Sequence, residues 1–429
     1  MFSDYQEFAE KNPTLLTDVG HKLRATFRLK NTNVTMANTI RRAITTDAPS
    51  VAFRTEPADK SDVVITVNTT PLVNEMIALR IGLIPICADP LAFDPDAYEF
   101  LLEKENRSEK GEIVDVTASD FKVYKRNVDN PMEEPVQVPT EQFFPPDPIT
   151  KQTTLITRLR PRWNPNAPFE SISLRAKASI GTGDENVRWS PTSQCSYAYT
   201  MVDPQSQEPS VQAYIESVFN EWISKNKKVE SDADPERMKT LLREFHTMEI
   251  QRCYFKDAKG EANDFTFFIE SVGVQTVPFI VDAGVSSLIG LMQRYNSFDA
   301  DMPANVRLQQ GDARFPCIDV YFMDEGHTLG NLLTTYLSQH HIESYDDGSA
   351  DARSDPRLSY VGYKIPHPLR DEMYIRIAMY KETEDGKGTM EDDIEILKNG
   401  ARLALANACK QLGEEFKRMR GEWKALTMQ

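Results

Sequence analysis

The sequence predicts an α+β fold of two related units, the first carrying an inserted, mainly-β domain, and three observations carry the prediction. Residues 35–44, TMANTIRRAI, have a relative at 328–337, TLGNLLTTYL: both hold Thr first, a small residue third, Asn fourth, and Ile or Leu sixth and tenth. Each copy follows a stretch of alternating apolar and polar residues, Leu23 to Lys30 in one case and Ile318 to Phe322 in the other, which is the period of a strand with one buried face. Between them, residues 88–262 turn acidic and then strand-like, with six prolines from Pro131 to Pro148 interrupting regular structure.

In the first unit Asn31 to Asn33 turn the chain, and Thr35 is placed to cap a helix. Met36, Ile40, Ala43 and Ile44 share one face of that helix. Arg41 and Arg42 project elsewhere, and helical spacing alone makes them a solvated face. A second helix starts at Asn74 as cap, with Gly82 expected to close it in the left-handed conformation and Pro85 to stop it; Glu75 and Arg80 are its polar members.

In the middle region, Thr153 to Leu159 and Ser171 to Ala178 alternate as sheet strands. The apolar stripes Val211 to Ile223 and Met238 to Met248 predict a helical hairpin on that sheet. Phe265, Phe267 and Ile269 outline a strand, and Val285, Leu288, Ile289 and Met292 a helix ending near Tyr295. Residues 296–315 are polar and aperiodic, which reads as a linker.

After that linker the first pattern begins again. Asp324 to His327 turn, Thr328 is placed to cap, and Leu329, Leu332, Leu333, Tyr336 and Leu337 share a helical face, with His340 and His341 expected in solvent. An acidic loop at 345–357 precedes a hairpin of 361–369 and 373–379. Apolar residues from Ile394 to Trp423 recur at three and four, giving a helix of roughly 30 residues. Gly400 interrupts it at a cost of roughly 1 kcal/mol.

Composition narrows the function. With 429 residues the chain is long enough for two or three compact units. Its 49 basic and 65 acidic residues give a net charge of −16, which opposes free-standing attachment to nucleic acid phosphates. Cysteines at 87, 195, 253, 317 and 409 form no CxxC pair, which suits a reducing compartment and argues against structural zinc. The polar N-terminus and the lack of an apolar run near the roughly 20 residues of a membrane span predict an intracellular protein that is not inserted in a membrane. No GxxxxGK[ST], GxSxG or HExxH motif is present, and the acidic runs at Asp346-Asp347 and Glu391 to Asp393 read as solvated. The chemistry therefore points to an interaction protein without catalytic residues, cofactor or metal.

The motifs also carry a resemblance. FRLKNTNVTMANTIRRAI is similar to the dimerisation motif of alpha-type RNA polymerase subunits, and VNEMIALRIGLIPI to the motif that follows it in the third-largest subunit of eukaryotic RNA polymerase II and in its archaeal D-type counterpart. WSP at Trp189 and FFIESVG at Phe267 resemble later landmarks of the same protein, in the same order. HTLGNLL at His327 and YKIPHPL at Tyr363 resemble the eleventh subunit and its archaeal L-type counterpart. The chain thus looks like both partners fused, an arrangement associated with polymerases of large DNA viruses, which would put it in host cytoplasm or nucleus and in virions.

That resemblance implies two alpha-type dimerisation units paired about a pseudo-twofold axis within one chain. Residues 1–87 and 263–295 would form the first unit, 88–262 its inserted domain, 296–315 the linker and 316–429 the second unit. It implies a non-catalytic platform for the largest and second-largest polymerase subunits, joined by small subunits like the tenth and the twelfth, with DNA reached only through the complex and no homodimer. Arg41, Arg42, Glu75 and Arg80 become expected contacts to a large subunit. Thr35, Met36, Asn38, Ile40, Ile44, Thr328, Leu329, Gly330, Asn331, Leu333 and Leu337 become the expected internal dimerisation core. Four features depart from the family: the missing cysteine cluster of its middle domain, residues 203–260, the acidic loop at Asp346, and Gly326 where an acidic residue usually precedes His327. The competing reading is a two-fold-symmetric transcription regulator whose helices read DNA half-sites, for which a basic face is missing.

Overall fold

The computed structural model describes residues 1–8, 23–108, 111–127, 133–164, 166–203, 206, 209–226, 235–250, 253–257, 259–298, 300–311, 314–342, 356–381 and 389–428. Most of the acidic stretch at 345–357 lies outside them. Seven α-helices are described: α1 Val34–Thr46, α2 Asn74–Gly82, α3 Pro209–Asn226, α4 Pro235–Glu244, α5 Val277–Tyr295, α6 His327–His341 and α7 Ile394–Thr427.

Each half opens with an antiparallel hairpin that feeds a helix. Phe2–Phe8 pairs with Arg24–Lys30 before α1, and Val306–Gln310 pairs with Ile318–Met323 before α6. Each sheet is completed by two later strands, Asp264–Ser271 and Thr192–Tyr199 in the first half and Glu372–Lys381 and Leu358–Lys364 in the second. Each half also supplies a long helix, α5 or α7. The strand at 306–310 corrects the expected linker: these residues are the counterpart of Phe2–Phe8 and belong to the second unit.

One continuous core joins the two halves. It contains Phe27, Ile40, Ile44, Phe267 and Leu288 from the first and Val320, Leu333, Ile375, Leu405 and Phe416 from the second. Side-chain contacts run α5 and α7 antiparallel. Trp423 Nε1 donates to the Pro278 carbonyl at 3.0 Å, Arg420 grips Asp282 at 2.7 and 3.0 Å, and Arg402 Nε donates to the Phe298 carbonyl at 2.8 Å. Phe2, Tyr5 and Phe27 pack around Trp423.

The inserted domain has a core of its own, and its boundary differs from the one expected at residue 88. Val51, Phe53, Val63, Ile77, Ile81 and Ile86 already belong to it, together with Phe100, Phe121, Ile156 and Leu174. Its sheet orders the strands Val63–Asn68, Ser171–Ala176, Tyr98–Glu105, Phe121–Lys125 and Val136–Val138. At the other end, Thr192–Tyr199 has already returned to the first unit's sheet. Helices α3 and α4 form a separate small cluster around Phe219, Leu241 and Phe245 with Val202 and Cys253, so the expected packing on the inserted sheet is replaced by a hairpin with its own core.

Several local expectations are corrected by hydrogen bonding. Asn33, not Thr35, caps α1 by accepting from the Met36 N–H at 2.8 Å. Gly326 precedes α6, so Thr328 sits inside the first turn. Val73 precedes α2, and Asn74 instead accepts from Asn68 at 2.8 Å. Gly82 does not adopt the left-handed conformation; it is needed because an added Cβ would lie 2.7 Å from Arg188 Nη1 and 2.9 Å from Thr55 Oγ1. Gly400 likewise makes room, since a Cβ there would fall 2.3 Å from the Met379 sulfur. His341 is buried rather than solvated, with Nδ1 2.9 Å from the Pro356 carbonyl.

Helices α1 and α5 approach closely at Gly284, where an added Cβ would lie 3.0 Å from the Ile44 backbone. Backbone cannot move aside as a side-chain tip can. Gly284→Val is therefore expected to destabilise the chain by about 1–3 kcal/mol, read as a lower urea midpoint with unchanged slope.

Candidate assembly interface

The motif helices α1 and α6 cross antiparallel at the seam between the halves, and three polar contacts fix their register. Asn33 Nδ2 donates to Gln339 Oε1 at 3.3 Å, Thr35 Oγ1 lies 3.2 Å from Thr335 Oγ1, and Arg42 Nε donates to Thr328 Oγ1 at 2.7 Å. The alignment that places Thr35 over Thr328 also places Arg42 over Thr335. The contacts 35–335 and 42–328 therefore exchange under the repeat, as a pseudo-twofold axis requires.

The expected core residues divide accordingly. Met36, Ile40, Ile44, Leu329, Gly330, Leu333 and Leu337 are buried. Gly330 is enclosed, since a Cβ would lie 2.6 Å from the Tyr363 ring and 2.9 Å from the Met373 sulfur. Thr35 and Thr328 are half-buried hydrogen-bonding residues of the crossing. Asn38 and Asn331 are half-buried as well, not core, and Asn38 Oδ1 accepts from Arg41 Nε and Nη2 at 3.1 and 3.0 Å.

The four expected contact residues lie in two places. Arg42 is turned inward to Thr328, and Arg41 stays on the α1 surface beside Cys195 and Tyr197 of the edge strand. Burial pushes the Cys195 thiol up to about 12 despite that nearby guanidinium. Glu75 and Arg80 are exposed on α2, where Arg80 Nη2 donates to the Leu155 carbonyl at 3.0 Å. Around them α2 exposes Met76, Leu79 and, just beyond its end, Leu83.

Sequence reasoning missed the charged part of the seam. Tyr295 is fully buried; its hydroxyl donates to Glu325 at 2.8 Å and accepts from Asn305 Nδ2 at 2.8 Å, while Arg294 reaches the same carboxylate at 3.1 Å. Burial raises Glu325, opposed by the Tyr295 hydrogen bond and Arg294. Asp47 at the end of α1 is raised by burial too, with Thr46 and Ser287 hydroxyls acting the other way. A lone Asp282 inside the apolar run PFIVDAGV was the available signal for the Arg420 pair.

The geometry is that of two hairpin-helix units paired through their motif helices within one chain. The family described as the RNA polymerase Rpb3/Rpb11 dimerisation domain matches residues 26–292, and a second family of the same description matches residues 351–422. The chain belongs to that Rpb3/Rpb11 family. It is similar to DNA-directed RNA polymerases I and III subunit RPAC1 of Mus musculus, 25% identical over 293 residues, which are 63% of this chain and 79% of the relative. Subunit Rpo3 of Methanopyrus kandleri is 33% identical over 182 residues, 41% of this chain and 54% of the relative. Subunit 3 of RNA polymerases II, IV and V of Arabidopsis thaliana is 30% identical over 190 residues, covering 41% and 53%.

Two measurements test the seam. A double-mutant cycle of Arg42→Ala and Thr328→Ala is expected to give a coupling of about 0.5–1.5 kcal/mol in urea unfolding, and additive losses would remove the contact. Glu325, with its folded value raised above the ordinary 4.5, contributes most to stability below that value and loses the contribution as pH rises through the folded one. Glu325→Gln keeps an acceptor for Tyr295, so it is expected to flatten the pH dependence of unfolding above pH 4.5 relative to the parent chain.

Proposed function

We propose that the chain is a non-catalytic assembly platform of a DNA-directed RNA polymerase, an intramolecular equivalent of the alpha-type heterodimer. The observation that carries the reading is the single core shared across a seam whose contacts exchange by pseudo-twofold symmetry. A heterodimer interface built into one chain is present without any partner search, at an effective concentration on the order of millimolar.

On this reading assembly starts with the second-largest subunit and continues with the largest, joined by small subunits resembling the tenth and twelfth, and catalysis resides in the two large subunits. Glu75 and Arg80 offer charged contacts around the exposed apolar residues of α2, and Arg41 and Arg42 offer theirs from α1, Arg42 beside the seam. No cofactor is needed, DNA is reached through the complex, and homodimerisation is unnecessary because the seam is already filled. The fused layout favours origin in a large DNA virus, with action in host cytoplasm or nucleus and packaging in virions. Among the described residues no helix is long and apolar enough to cross a membrane.

Co-expression with the two large subunits tests the platform in two ways. Ile40→Asp and Leu333→Asp, which bury an unpaired charge in the shared core, are expected to abolish folding and recovery together. Glu75→Arg combined with Arg80→Glu is expected to cost the free chain no more than about 1 kcal/mol, the exposed Arg80–Leu155 hydrogen bond being lost, and to deplete the large subunits at least tenfold on affinity purification. Full recovery of the enzyme with that surface pair would refute the assigned docking face.

A further inference from the structure

The inserted sheet ends in an edge strand that carries neither charge nor proline. Val63–Asn68 pairs only with Ser171–Ala176, and its other edge carries no strand among the described residues. Residues 63–67 read VVITV, five β-branched residues in a row with no charge and no proline. Such an edge presents backbone N–H and C=O groups to any chain that can pair with it; at Val63 the Ser61 hydroxyl accepts from the N–H at 3.2 Å and donates to the carbonyl at 3.1 Å, a local bond that an added strand would displace. The edge strand Phe2–Phe8 is blunted more heavily, by a register break at residues 3–6 together with a charged Asp4 at positive φ, whereas Val63–Asn68 has only a register break, at Thr66.

Beside this edge runs a groove of 540 Å³. Consecutive residues Val63, Val64 and Ile65 line one side, as an edge backbone does, and Asn74, Glu75, Ala78 and Leu79 of α2 line the other. Val64 is 57% exposed and Leu79 44% exposed, so the walls are apolar and open. The charged lining residues are Glu56 and Glu75, both acidic; Glu56 lies 3.5 Å from Arg188, while Glu75 has no ion pair among the described residues. The pairing with Ser171–Ala176 is regular over 63–65 and shifts at Thr66, which sets the length available to an added strand.

We propose that this groove takes an extended segment of a partner polymerase subunit, added as a short strand along Val63–Ile65. Its alternate side chains are apolar toward Val64 and Leu79, and it carries a lysine or arginine that meets Glu75. Main-chain hydrogen bonds supply the affinity, and the groove supplies the side-chain preference. The inference rests on the platform reading above and names the form of one contact on it.

The test is residue-resolved hydrogen–deuterium exchange on the free chain and on the chain co-expressed and purified with the two large subunits and the small subunits. Strand addition is expected to slow an outward-facing amide within 63–65 by roughly tenfold or more in the complex, leaving its inward-facing neighbour unchanged. Val64→Lys, at an exposed position outside the core, is expected to abolish that protection without moving the unfolding midpoint of the free chain. Unchanged exchange at 63–65 in an intact complex overturns the groove and leaves the platform standing. Uniform protection across 63–68 overturns strand addition in favour of a covering helix or loop. Protection in the free chain that rises with concentration, together with a dimer mass, assigns the edge to a second copy and overturns the proposal. Failure of the unmodified chain to recover any large subunit overturns the platform reading and the groove with it.

Discussion

The rest of the structure depends on helices that must be covered on more than one side. In α7 the three consecutive residues Ala404, Leu405 and Ala406 are all fully buried, and three neighbours in sequence span too wide an arc for one sheet to cover. In α5 the buried positions 277, 280, 281, 284, 285, 288, 289 and 292 form a similarly wide band. Each helix therefore packs on its own sheet and needs a second cover, which the opposite half provides. Small residues make that cover close: Gly284 admits the α1 backbone, and Gly413 faces Met292. Splitting the halves would expose this band, at roughly 1.5–3 kcal/mol for each large side chain uncovered.

Burial alone does not fix how two helices slide and rotate against one another. The polar contacts do, because each is satisfied at one register only. Thr35–Thr335 and Arg42–Thr328 set the motif-helix crossing, Asp282–Arg420 sets the α5–α7 pair, and Tyr295–Glu325 ties the end of α5 to the loop before α6. Asp282 and Arg420 are only partly buried, so their desolvation cost is modest while their two parallel hydrogen bonds retain directional preference. The apolar core thus supplies stability, and the polar rim selects the arrangement that the core fills.

The paired architecture is legible in the sequence because it rests on periodicity, and the buried faces of α1, α6 and α7 follow from spacing alone. What escapes is polar and short. Both first strands of the two hairpins, FSDYQEF and VRLQQ, lie at sheet edges, where one side needs no apolar residue, so the alternation that marks a buried strand is weak. One reads as an ordinary terminus and the other as a linker. Helix caps are displaced because Asn33 outranks Thr35 by geometry that spacing does not encode. The inserted domain begins earlier than its change in composition because Val51, Phe53 and the α2 residues Ile77 and Ile81 are as apolar as the first unit's core; only the contacts reveal which core they enter.

The candidate surface shows the same division. Glu75 and Arg80 can be singled out from the α2 motif, but their surroundings cannot, since an exposed Val64 and a buried Val63 are identical in sequence. Arg42 is the instructive residue. Its counterpart in the repeat is Thr335, a short side chain that spans the crossing to Thr35, whereas Arg42 spans it to Thr328 and still extends to the cavity beside Asp47, Arg294 and Glu325. A pseudo-twofold axis allows that asymmetry because the two halves share backbone geometry without sharing side chains. One copy of the motif can therefore carry a charge toward the outside of the seam while the other closes it, and a symmetric scaffold acquires two different faces.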